Sequence, residues 1–384
     1  MGVTGIICEY NPLHLGHKKQ IDTIKARRPE DSIVCLMSGN YVQRGAPAIL
    51  DKSLRAKAAV LSGADLVLEL PLTASLSSAE GFAAEGVRIL GRFCDRLCFG
   101  VESATADSLF ATAKALLSPA FSENLRFGLC NGVSFPAARQ MALQAMGVQH
   151  DTLSQPNDIL ATEYCKAILQ QGVSMEPMPI AREGNYHDTA IDAENPSATA
   201  LRMCMTEGKD WMAYVPEPAR AVFTGAALHT LAAGEQAVLY RLRTMTDEEF
   251  ESLPYGSEGL WRKLMHNARK YATLEEIITA TKSKRYTRTR LDRMVMCAFL
   301  GITQEDMDSP APYARVLALN DKGRDILKSA RETGQFFNAG ESVDFPYQDL
   351  EVRAGRLYGL FSNKQELPYD EGDRRVFYKK EITL

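Results

Sequence analysis

Two histidines near the N-terminus have a spacing that suits phosphate chemistry. His14 and His17 lie about one helical turn apart with Gly16 between them, in a segment that reads EYNPLHLGH from Glu9 to His17. An apolar run precedes the segment and helical spacing follows it, so we expect a helix N-terminus, where unpaired N–H groups attract anions. Two imidazoles placed there can bind one phosphoryl group, and glycine lets a base or ribose approach the backbone. The alternative is that both side chains only cap the helix or face solvent.

Ser197, Thr199 and Arg202 form a second candidate phosphate site. Their segment reads SATALR, in which Ser and Thr would cap a helix and, with its N–H groups, hold a β- or γ-phosphate. Arg202 lies about one turn further on and can reach the same oxygen atoms. The segment is similar to the Ser-Ser-Thr-x-x-Arg helix start of nucleotidylyltransferases, although Ala198 replaces the second serine. A plain helix N-cap is the alternative interpretation.

A basic segment in the second half of the chain is a candidate contact for nucleic acid. Residues 282–290 read KSKRYTRTR, and cations interleaved with an aromatic are typical of a phosphate track on which a base can stack. We expect stacking at Tyr286. The expected phosphate contacts are Lys284, Arg285, Arg288 and Arg290. The alternative is an ordinary, solvated basic face of a helix.

Alternating strand and helix patterns place the two histidines at the edge of a parallel sheet. Short apolar, β-branched runs predict strands, and the helical spacing between them predicts helices. The predicted strands cover residues 3–9, 31–37, 65–70 and 96–99, and the predicted helices cover 15–28, 50–62, 78–90 and 105–117. Strands joined through helices form parallel sheets, whose ligands bind at the carboxyl ends of the strands near the switch in strand order.

The second half of the chain has a mainly helical pattern. Helices are predicted over 217–233, 235–244, 258–268, 274–281 and 288–300, followed by a boundary at 306–313, a strand at 314–319 and a helix at 321–333. We therefore expect an α/β fold in three parts. These are a Rossmann-like, parallel-sheet domain with the nucleotide site and the catalytic residues (1–206), a helical domain that binds nucleic acid (207–308), and a small C-terminal α/β region (309–384).

Composition limits the class of protein. The chain has 384 residues, 45% of them hydrophobic and 24% charged, with a net charge of −4; these values are ordinary for a globular protein and do not exclude local basic patches. No run of about 18 apolar residues predicts a membrane span, and the N-terminus is typical of a buried strand rather than a signal peptide. Eight cysteines without a CxxC pair favour buried, reduced thiols over a metal site at Cys94 and Cys98, and hence a cytoplasmic protein.

Together the motifs resemble the bacterial tRNA(Met) cytidine acetate ligase family, within the HIGH-motif nucleotidylyltransferase superfamily. The resemblance runs from the first strand to about Leu327 and weakens after about Phe337. Its landmarks in chain order are residues 9–12 with His14, Gly16 and His17; 37–39 and 43–45; 63–65 and 69–71; Phe99, Gly100 and Glu102; 156–160; Arg182 with 186–188; and 197–199.

The resemblance implies a two-step reaction. ATP and acetate would form acetyl-adenylate and pyrophosphate, and the acetyl group would then pass to N4 of the wobble cytidine of elongator tRNA(Met), giving N4-acetylcytidine. It implies that His14, His17 and Arg202 are catalytic, that Mg²⁺ shares the charge of the pyrophosphate, and that the helical domain and its basic segment bind the tRNA. Ser197 and Thr199 would contact ATP through their motif. The remaining implied ATP contacts are Ile7, Cys8, Glu9, Tyr10, Asn11, Pro12, Leu13, His14, Leu15, Gly16, His17, Lys18, Lys19, Gln20, Gly100, Asn157 and Arg182.

Two further segments are open to either of two interpretations. Residues 38–41 and 43–45 follow the second predicted strand, so they either line the acetate and cytosine side of the site or form a structural loop. Asp65 and Glu69 flank the third strand, and Glu69 either faces the site or has a structural part.

Two other functions fit parts of the sequence. A small-molecule nucleotidylyltransferase of the pantetheine-phosphate or nicotinamide-mononucleotide type shares the fold and both phosphate motifs, but it has no need of the helical domain and the basic segment. A non-catalytic RNA-binding protein with a degenerate nucleotide fold is disfavoured by the intact His14, Gly16 and His17.

Overall fold

The computed structural model describes residues 2–133, 135–148, 153, 155–181, 196–283, 286–365 and 367–380. The predictions at Arg182, 186–188, Lys284 and Arg285 lie outside these residues. The strands of the described residues are β1 (Val3–Cys8), β2 (Ser32–Ser38), β3 (Tyr41–Val42), β4 (Ala46–Pro47), β5 (Leu66–Leu70), β6 (Arg96–Val101), β7 (Glu176–Ala181), β8 (Ala314–Asn320), β9 (Phe336–Asn338) and β10 (Phe377–Lys379).

The α-helices of the described residues are short to medium in length, and none is long and apolar enough to cross a membrane. They are α1 (Leu15–Arg27), α2 (Lys52–Leu61), α3 (Leu72–Ser75), α4 (Ala79–Leu90), α5 (Ala106–Leu116), α6 (Pro119–Cys130), α7 (Phe135–Ala145), α8 (Pro156–Gln171), α9 (Ala198–Thr206), α10 (Glu217–Phe223), α11 (Leu231–Thr244), α12 (Asp247–Glu251), α13 (Leu260–Ala268), α14 (Leu274–Thr281), α15 (Arg288–Leu300), α16 (Gln304–Asp308), α17 (Asp321–Ala330) and α18 (Tyr347–Tyr358).

An eight-stranded sheet forms the core of the described molecule. The strand order is β10-β8-β5-β2-β1-β6-β7, with β9 paired to β8, while β3 and β4 form a separate antiparallel hairpin. Strands β5, β2, β1, β6 and β7 are mutually parallel. β2 is buried along its whole length, as expected of a parallel strand that is covered on both faces. The α/β fold class predicted from the sequence is therefore confirmed.

The strand order reverses beside β1. The chain passes from β1 to β2 and β5 on one side and then crosses to β6 and β7 on the other. In such sheets the crevice for a ligand opens at the carboxyl ends of the strands where the order reverses. This crevice lies where β1 ends at Cys8 and β6 ends at Val101.

One predicted helix is wrong. The helical pattern over 217–233 is split in the structure, because α10 ends at Phe223 and α11 begins at Leu231. Gly225 between them has a φ of 74°, a conformation that glycine adopts without strain. Thr230 then caps α11 by accepting the N–H of Ala233 at 3.2 Å. The intervening loop brings His229 to Ile49, whose carbonyl accepts its N–H at 2.9 Å.

The C-terminal strands extend the same sheet. β8 pairs antiparallel with β5, and β9 and β10 pair parallel with β8. The division of the chain after residues 206 and 308 stays a prediction, and the strands of 309–384 complete the sheet that the N-terminal strands begin.

Buried ion pairs hold the C-terminal segment against the start of α2. Lys52 Nζ lies 2.8 Å from Glu69 and 2.7 Å from Glu371, and Arg374 lies 2.9 Å from Asp51. Burial alone would raise the pKa of Asp51, but the Arg374 guanidinium overrides it and holds that pKa well below its usual range. Glu69 is thus part of a buried ion-pair network. Of the two interpretations of this residue, the structure favours a structural part over one that faces the site.

Candidate nucleotide-binding active site

A cavity of about 400 Å³ opens at the crevice where β1 and β6 end, a size suited to a small organic ligand. Its walls come from the first βα turn, the β3–β4 hairpin, the starts of α8 and α9, and residues 229–231. The lining residues that the sequence also assigned to ATP or to catalysis are Ile7, Cys8, Glu9, Tyr10, Asn11, His14, His17, Gln20, Gly100, Asn157, Ser197, Thr199 and Arg202.

Other predicted ATP contacts do not line this cavity. Leu13 is fully buried in the core, and Lys18 pairs with Asp22 one turn along the surface of α1. The predicted contacts outside the cavity lining are Pro12, Leu13, Leu15, Gly16, Lys18 and Lys19. Arg182 lies outside the described residues.

His14 and His17 stack on each other at the start of α1. Their ring centroids are 3.8 Å apart and the planes are inclined by 30°. The N–H of Gly16 donates to Nδ1 of His14 at 3.1 Å, and the N–H of His14 donates to Nδ1 of His17 at 3.3 Å. Because both Nδ1 atoms accept, we infer that a neutral ring carries its proton on Nε2. Helix capping therefore uses Nδ1, and a bond to a phosphate oxygen would use the Nε2–H donor.

The lack of a side chain at Gly16 leaves room for the ring of His14. A Cβ at position 16 would lie 3.0 Å from Cε1 of His14, closer than side-chain carbons ordinarily approach. A side chain at position 16 would therefore require the imidazole to shift by a few tenths of an ångström. The glycine between the histidines is therefore explained by the ring beside it as well as by access to the backbone.

Arg202 connects the two phosphate motifs. Its Nη1 donates to the carbonyl of Asn11 at 2.8 Å, and its Nη2 donates to Oγ1 of Thr199 at 3.1 Å. Ser197 caps α9 by accepting the N–H of Ala200 at 3.0 Å. The N-terminus of α9 and its arginine thus face the same cavity as the paired histidines, although the two motifs lie far apart in the sequence.

Reciprocal hydrogen bonds fix the start of α8 beside the end of β6. The carboxylate of Glu102 accepts the side-chain amide of Asn157 and the N–H of Asp158, the latter at 3.0 Å. In return the buried carboxylate of Asp158 accepts the N–H of Glu102 at 2.8 Å and that of Ser103 at 3.1 Å. These bonds hold Asn157 at the cavity wall and explain why both acids belong to the motif set.

Arg55 ties together the carboxyl ends of β1 and β2. The side chain is fully buried. Its Nη1 donates to the carbonyls of Glu9 at 2.6 Å and Ser38 at 3.0 Å, its Nη2 to that of Gly39, and its Nε to that of Leu50 at 2.8 Å. The guanidinium therefore positions the backbone that carries the first motif without itself lining the cavity.

The β3–β4 hairpin forms the wall of the cavity beside the first nucleotide motif. The carboxylate of Glu9 accepts the N–H of Gln43 at 2.9 Å, and Oδ1 of Asn11 accepts the N–H of Ile49 at 2.7 Å. Gln43 and the exposed Arg44 line the cavity. Of the loop after the second strand, residues 43 and 44 therefore line the site, which agrees with the first of the two interpretations given for this loop.

The remaining residues of that loop have structural contacts. Asn40 accepts the N–H of Lys52 at 2.8 Å, and Tyr41 donates to the carbonyl of Ala354 at 2.9 Å. Gly45 has a φ of 73°, and a Cβ there would lie 2.6 Å from the carbonyl oxygen of Asp292. The hairpin therefore packs directly on the backbone of α15, and residues 38–41 do not line the cavity.

Cys8 lines the cavity but is poorly suited to act as a nucleophile. Burial raises the pKa of its thiol well above the ordinary value, and the neighbouring Cys35 raises it further. A thiolate is the reactive form of cysteine, so this side chain stays protonated near neutral pH. The site is therefore suited to direct transfer between bound substrates rather than to an acyl-thioester on Cys8.

Comparisons with known proteins match the chain to one family. A model of the HIGH Nucleotidyl Transferase family matches residues 1–371. The tRNA(Met) cytidine acetate ligase of Clostridium acetobutylicum is 34% identical, over 98% of this chain and 99% of its own. That of Bacillus velezensis is 31% identical, over 100% of this chain and 96% of its own. The chain belongs to the tRNA(Met) cytidine acetate ligase family. The resemblance inferred from the motifs is therefore confirmed.

Solved structures of a protein from Thermotoga maritima share the fold throughout. Its crystal structure, named TmcAL in an apo form, has a TM-score of 0.90 and 28% sequence identity, over 99% of this chain and 100% of that chain. A second form, bound with alpha-thio ATP, has a TM-score of 0.87 and 27% identity over the same shares. The similarity therefore includes the helical region and the C-terminal strands.

The described cations of the basic segment differ in how far their charge is balanced. In this member of the ligase family Arg288 pairs with Glu275 at 2.7 Å and with Asp292 at 2.9 Å. Arg290 instead donates to the carbonyl of Tyr255 at 2.8 Å, and its guanidinium lies 5.0 Å from the centre of the Tyr286 ring. Arg288 is therefore largely neutralised within the chain, whereas Arg290 keeps its positive charge without a carboxylate partner among the contacts described.

Two residues of this ligase-family site have no sequence motif. Arg55 lies in the middle of a helical pattern, where a cation is normally taken to face solvent. His229 lines the cavity, and its ring stacks on Tyr358 at 4.0 Å. A lone histidine inside the predicted helix 217–233 carries no signal of its own, and only the break between α10 and α11 brings it to the site.

Proposed function

We propose that the chain is an ATP-dependent ligase that acetylates N4 of the wobble cytidine of elongator tRNA(Met). Its curated relatives are named tRNA(Met) cytidine acetate ligase. One observation carries the proposal for the chemistry: the stacked imidazoles of His14 and His17 line the same cavity as the N-terminus of α9 and Arg202. These groups are the donors that a triphosphate needs when it is attacked at its innermost phosphorus.

In the first step acetate would attack the α-phosphorus of ATP. The new acyl–phosphate bond forms as the bond to the β-phosphate breaks, and pyrophosphate leaves with the electron pair. The Nε2–H groups of His14 and His17 stabilise the charge that develops on the α-phosphate oxygens. Arg202 and the N–H groups at the start of α9 hold the leaving pyrophosphate. The product, acetyl-adenylate, carries a leaving group that acetate lacks.

In the second step the cytidine amine would attack the acetyl carbonyl. The N4 lone pair is delocalised into the ring, so the mixed anhydride and close positioning must make up for a weak nucleophile. The C–N bond forms, the bond to the phosphate oxygen breaks, and AMP leaves. A wobble base can be unstacked from its loop to enter the cavity, as enzymes that act on bases require.

Mg²⁺ is expected to accompany ATP. Among the residues that the structure describes, no group of three or more His, Cys, Asp or Glu side chains is placed to hold a metal ion. Mg²⁺ usually keeps several waters and binds through substrate phosphates. The mechanism therefore assigns no step to a protein-held ion.

The tRNA surface is proposed to begin at the hairpin and run along α15. Arg293 Nη1 donates to the carbonyl of Gln43 at 3.4 Å, and its guanidinium lies 5.1 Å from the centre of the Tyr255 ring. A second such pair, Arg290 and Tyr286, lies at the start of α15. Alternating cations and aromatic rings suit a single-stranded anticodon loop, whose phosphates and unstacked bases need both. The tRNA substrate and the eight free thiols favour a cytoplasmic location.

Acetate dependence tests the proposed reaction. The wild-type protein should catalyse exchange of labelled pyrophosphate into ATP only when acetate is present, and mass analysis should detect N4-acetylcytidine in elongator tRNA(Met) after incubation with ATP and labelled acetate. Exchange that requires a phosphorylated metabolite instead of acetate would favour the small-molecule nucleotidylyltransferase and reject the ligase.

A His17 variant tests the observation that carries the proposal. His17→Ala should abolish acetate-dependent exchange, because the α-phosphate loses a donor, while tRNA affinity stays within a few-fold. The exposed His266 on α13 provides a matched control, since His266→Ala should leave both measurements unchanged. Equal loss of exchange and tRNA binding in His17→Ala would mean that the histidine only supports the helix.

A further inference from the structure

The cavity extends past the strand ends onto the face of the sheet that lies away from α1. Successive side chains of a strand point to opposite faces of a sheet. Cys8 and Cys98 point into the core that α1 and α9 cover, whereas their neighbours Ile7 and Phe99 point into the core that α4 and α8 cover. Ile7 and Phe99 both line the cavity. One part of the cavity therefore lies on the face opposite the two phosphate motifs.

Four side chains on this face form an apolar pocket within the cavity. α4 supplies Phe82, β6 supplies Phe99, and α8 supplies Leu160 and Tyr164. The ring centroids of Phe99 and Tyr164 are 5.5 Å apart. Leu160 and Tyr164 are four residues apart and so share one face of α8. The pocket thus has walls from two helices and a strand, and Tyr164 supplies its polar hydroxyl.

The walls of the apolar pocket are held in place by contacts behind them. Lys166 of α8 pairs with Glu80 of α4 at 2.9 Å, which ties the two helices together. α4 also lies directly on β1, because a Cβ at Gly86 would be 2.4 Å from Cδ1 of Ile7. A pocket with fixed apolar walls can discriminate between ligands that differ by a methylene group.

The hydroxyl of Tyr164 is a buried donor that needs an acceptor. The side chain is only 2% exposed, and in the part of the chain that the structure describes its hydroxyl has no hydrogen-bond partner. Its oxygen keeps contact with the cavity, unlike the fully enclosed Oγ of Ser38. Burial raises the pKa of Tyr164, and the nearby Cys8 and Glu9 raise it further, so the hydroxyl keeps its proton. Leaving such a donor unpaired is costly, and a ligand with an acceptor atom would satisfy it.

The direction of attack on ATP leads to the same face of the sheet. In an in-line displacement the attacking and leaving oxygens lie on opposite sides of the phosphorus. The proposed mechanism gives the leaving pyrophosphate to Arg202 and the start of α9, and α9 packs on the α1 face through Leu201. The nucleophile must therefore approach from the side away from α9, which is the face where the apolar pocket lies.

We propose that the apolar pocket binds acetate and then holds the acetyl group of the adenylate. The methyl group packs against the rings of Phe82 and Phe99. One carboxylate oxygen accepts a hydrogen bond from Tyr164 while the other forms the bond to the α-phosphorus, and pyrophosphate leaves with the electron pair of the broken bond. A purine on these walls would leave ring nitrogens unpaired. The inference rests on the proposed function and identifies where its carboxylate substrate binds.

Carboxylates of increasing length test the size of the apolar pocket. In pyrophosphate exchange, Phe82→Ala and Leu160→Ala should raise kcat/KM for butyrate relative to acetate by at least about 10-fold, because each removes a wall that excludes the longer chain. KM for ATP should stay within about three-fold of wild type. Leu160 is only half-buried, so its variant serves if Phe82→Ala fails to fold. Phe127→Ala, at a side chain that is 71% exposed, should keep the wild-type ratio.

A phenylalanine variant tests the hydroxyl without changing the volume. Tyr164→Phe should raise KM for acetate by about 10-fold or more, the loss expected for a hydrogen bond to a charged group, with KM for ATP little changed. Tyr240→Phe, at a side chain that is 72% exposed, should leave both constants at their wild-type values.

The outcomes distinguish this inference from the proposed function. A wild-type protein without acetate-dependent exchange would reject the proposed function itself. Acetate-dependent exchange in the wild type, with unchanged chain-length preference and acetate KM in the variants, would overturn only the inference. A rise in KM for ATP without a rise for acetate would assign the apolar pocket to the purine, and a parallel rise of both would make its residues structural; either result would also overturn it.

Discussion

Replacing Arg55 by methionine should weaken the fold and the nucleotide site together. The guanidinium donates four hydrogen bonds to backbone carbonyls, at the ends of β1 and β2 and before α2. Methionine fills a similar volume but donates nothing, so four buried carbonyls lose their charged partner. One of them belongs to Glu9, whose side chain lines the cavity, and the effect should therefore reach the site.

The size of the effect follows from two opposing terms. A hydrogen bond to a charged group contributes about 1.5–3 kcal/mol, so four of them contribute roughly 6–12 kcal/mol. Burying the guanidinium opposes this by several kcal/mol, and burial lowers the pKa of Arg55 for the same reason. The net loss in Arg55→Met should be about 3–5 kcal/mol, a large share of the roughly 5–15 kcal/mol that stabilises a typical domain.

A lysine variant adds a pH dependence of known sign. An ammonium group at position 55 keeps the charge but cannot reach carbonyls spread over three segments, and burial lowers its pKa below the unfolded value of about 10.4. The folded state then binds fewer protons than the unfolded state at alkaline pH. The stability of Arg55→Lys relative to Arg55→Met should therefore rise as pH approaches about 10.

Urea unfolding and pyrophosphate exchange measure both effects. The two tryptophans, Trp211 and Trp261, report unfolding by fluorescence, and Arg55→Met should unfold at a clearly lower urea concentration and show a raised KM for ATP. Arg324→Met is the matched control, because that side chain is 51% exposed and should change stability by less than about 0.5 kcal/mol. If Arg55→Met unfolded together with the control and kept its KM, the guanidinium would not be what holds the strand ends, and the reasoning would fail.

Three further predictions concern the hairpin, the tRNA surface and Glu351 of α18, which pairs with the buried Arg315 of β8 at 3.1 Å. Gly45→Ala introduces a Cβ 2.6 Å from a carbonyl of α15 at a φ of 73°, so it should lower stability by about 1–3 kcal/mol and reduce tRNA acetylation more than acetate-dependent exchange. Arg290→Gln should weaken tRNA binding in filter assays and reduce the salt slope of log Kd by about one, while Arg288→Gln should change it less, because Arg288 is already paired; equal slopes would contradict this. Burial and the nearby negative charge of Glu69 raise the pKa of Glu351 to about 7. The stabilising contribution of this group is therefore complete below about pH 4.3 and is lost as the pH rises to about 7. Over that window the unfolding free energy of the wild type should fall by up to about 1.4 kcal/mol per pH unit more than that of Glu351→Gln.

The sequence predicts the sheet of the first half because its signals are local. The continuous apolar runs that become β1, β2 and β5 have to be covered on both faces, and each is followed by a helical pattern of the length that a parallel crossover needs. The carboxyl ends of such strands meet at one edge. The placement of the His14 segment at a strand-to-helix turn follows from the same rule.

Strand pairing across the C-terminal segment depends on information that no local pattern contains. The apolar run at 314–319 predicts a strand, and β8 indeed covers Ala314–Asn320. Its antiparallel pairing with β5 depends on the path of the whole helical region between them. The short strands β9 and β10 have only three residues each, too few for a periodic pattern to be recognised.

Charged and polar residues of the site are predicted only where a motif marks them. His14, His17 and Arg202 stand out because their spacing at a helix start has a chemical meaning. Arg55 lies within the predicted helix 50–62, and its burial follows from backbone carbonyls supplied by distant segments. A charged residue in a helix is usually solvated, so the sequence gives no sign that this side chain is buried.

The part of the chain that the sequence predicts least well packs against the hairpin that forms one wall of the cavity. Tyr358, beneath His229, belongs to α18, and its hydroxyl holds the hairpin at Ala48. Further along the C-terminal segment, Glu371 pairs with Lys52 and Arg374 pairs with Asp51. Without these partners the two buried charges at the start of α2 would be uncompensated. In the proposed mechanism adenylation would depend mainly on the N-terminal motifs and α9, whereas transfer would also depend on the hairpin that the C-terminal segment supports. A change that loosens this docking should separate the two half-reactions, because it moves the hairpin while the imidazoles at the start of α1 keep their backbone bonds.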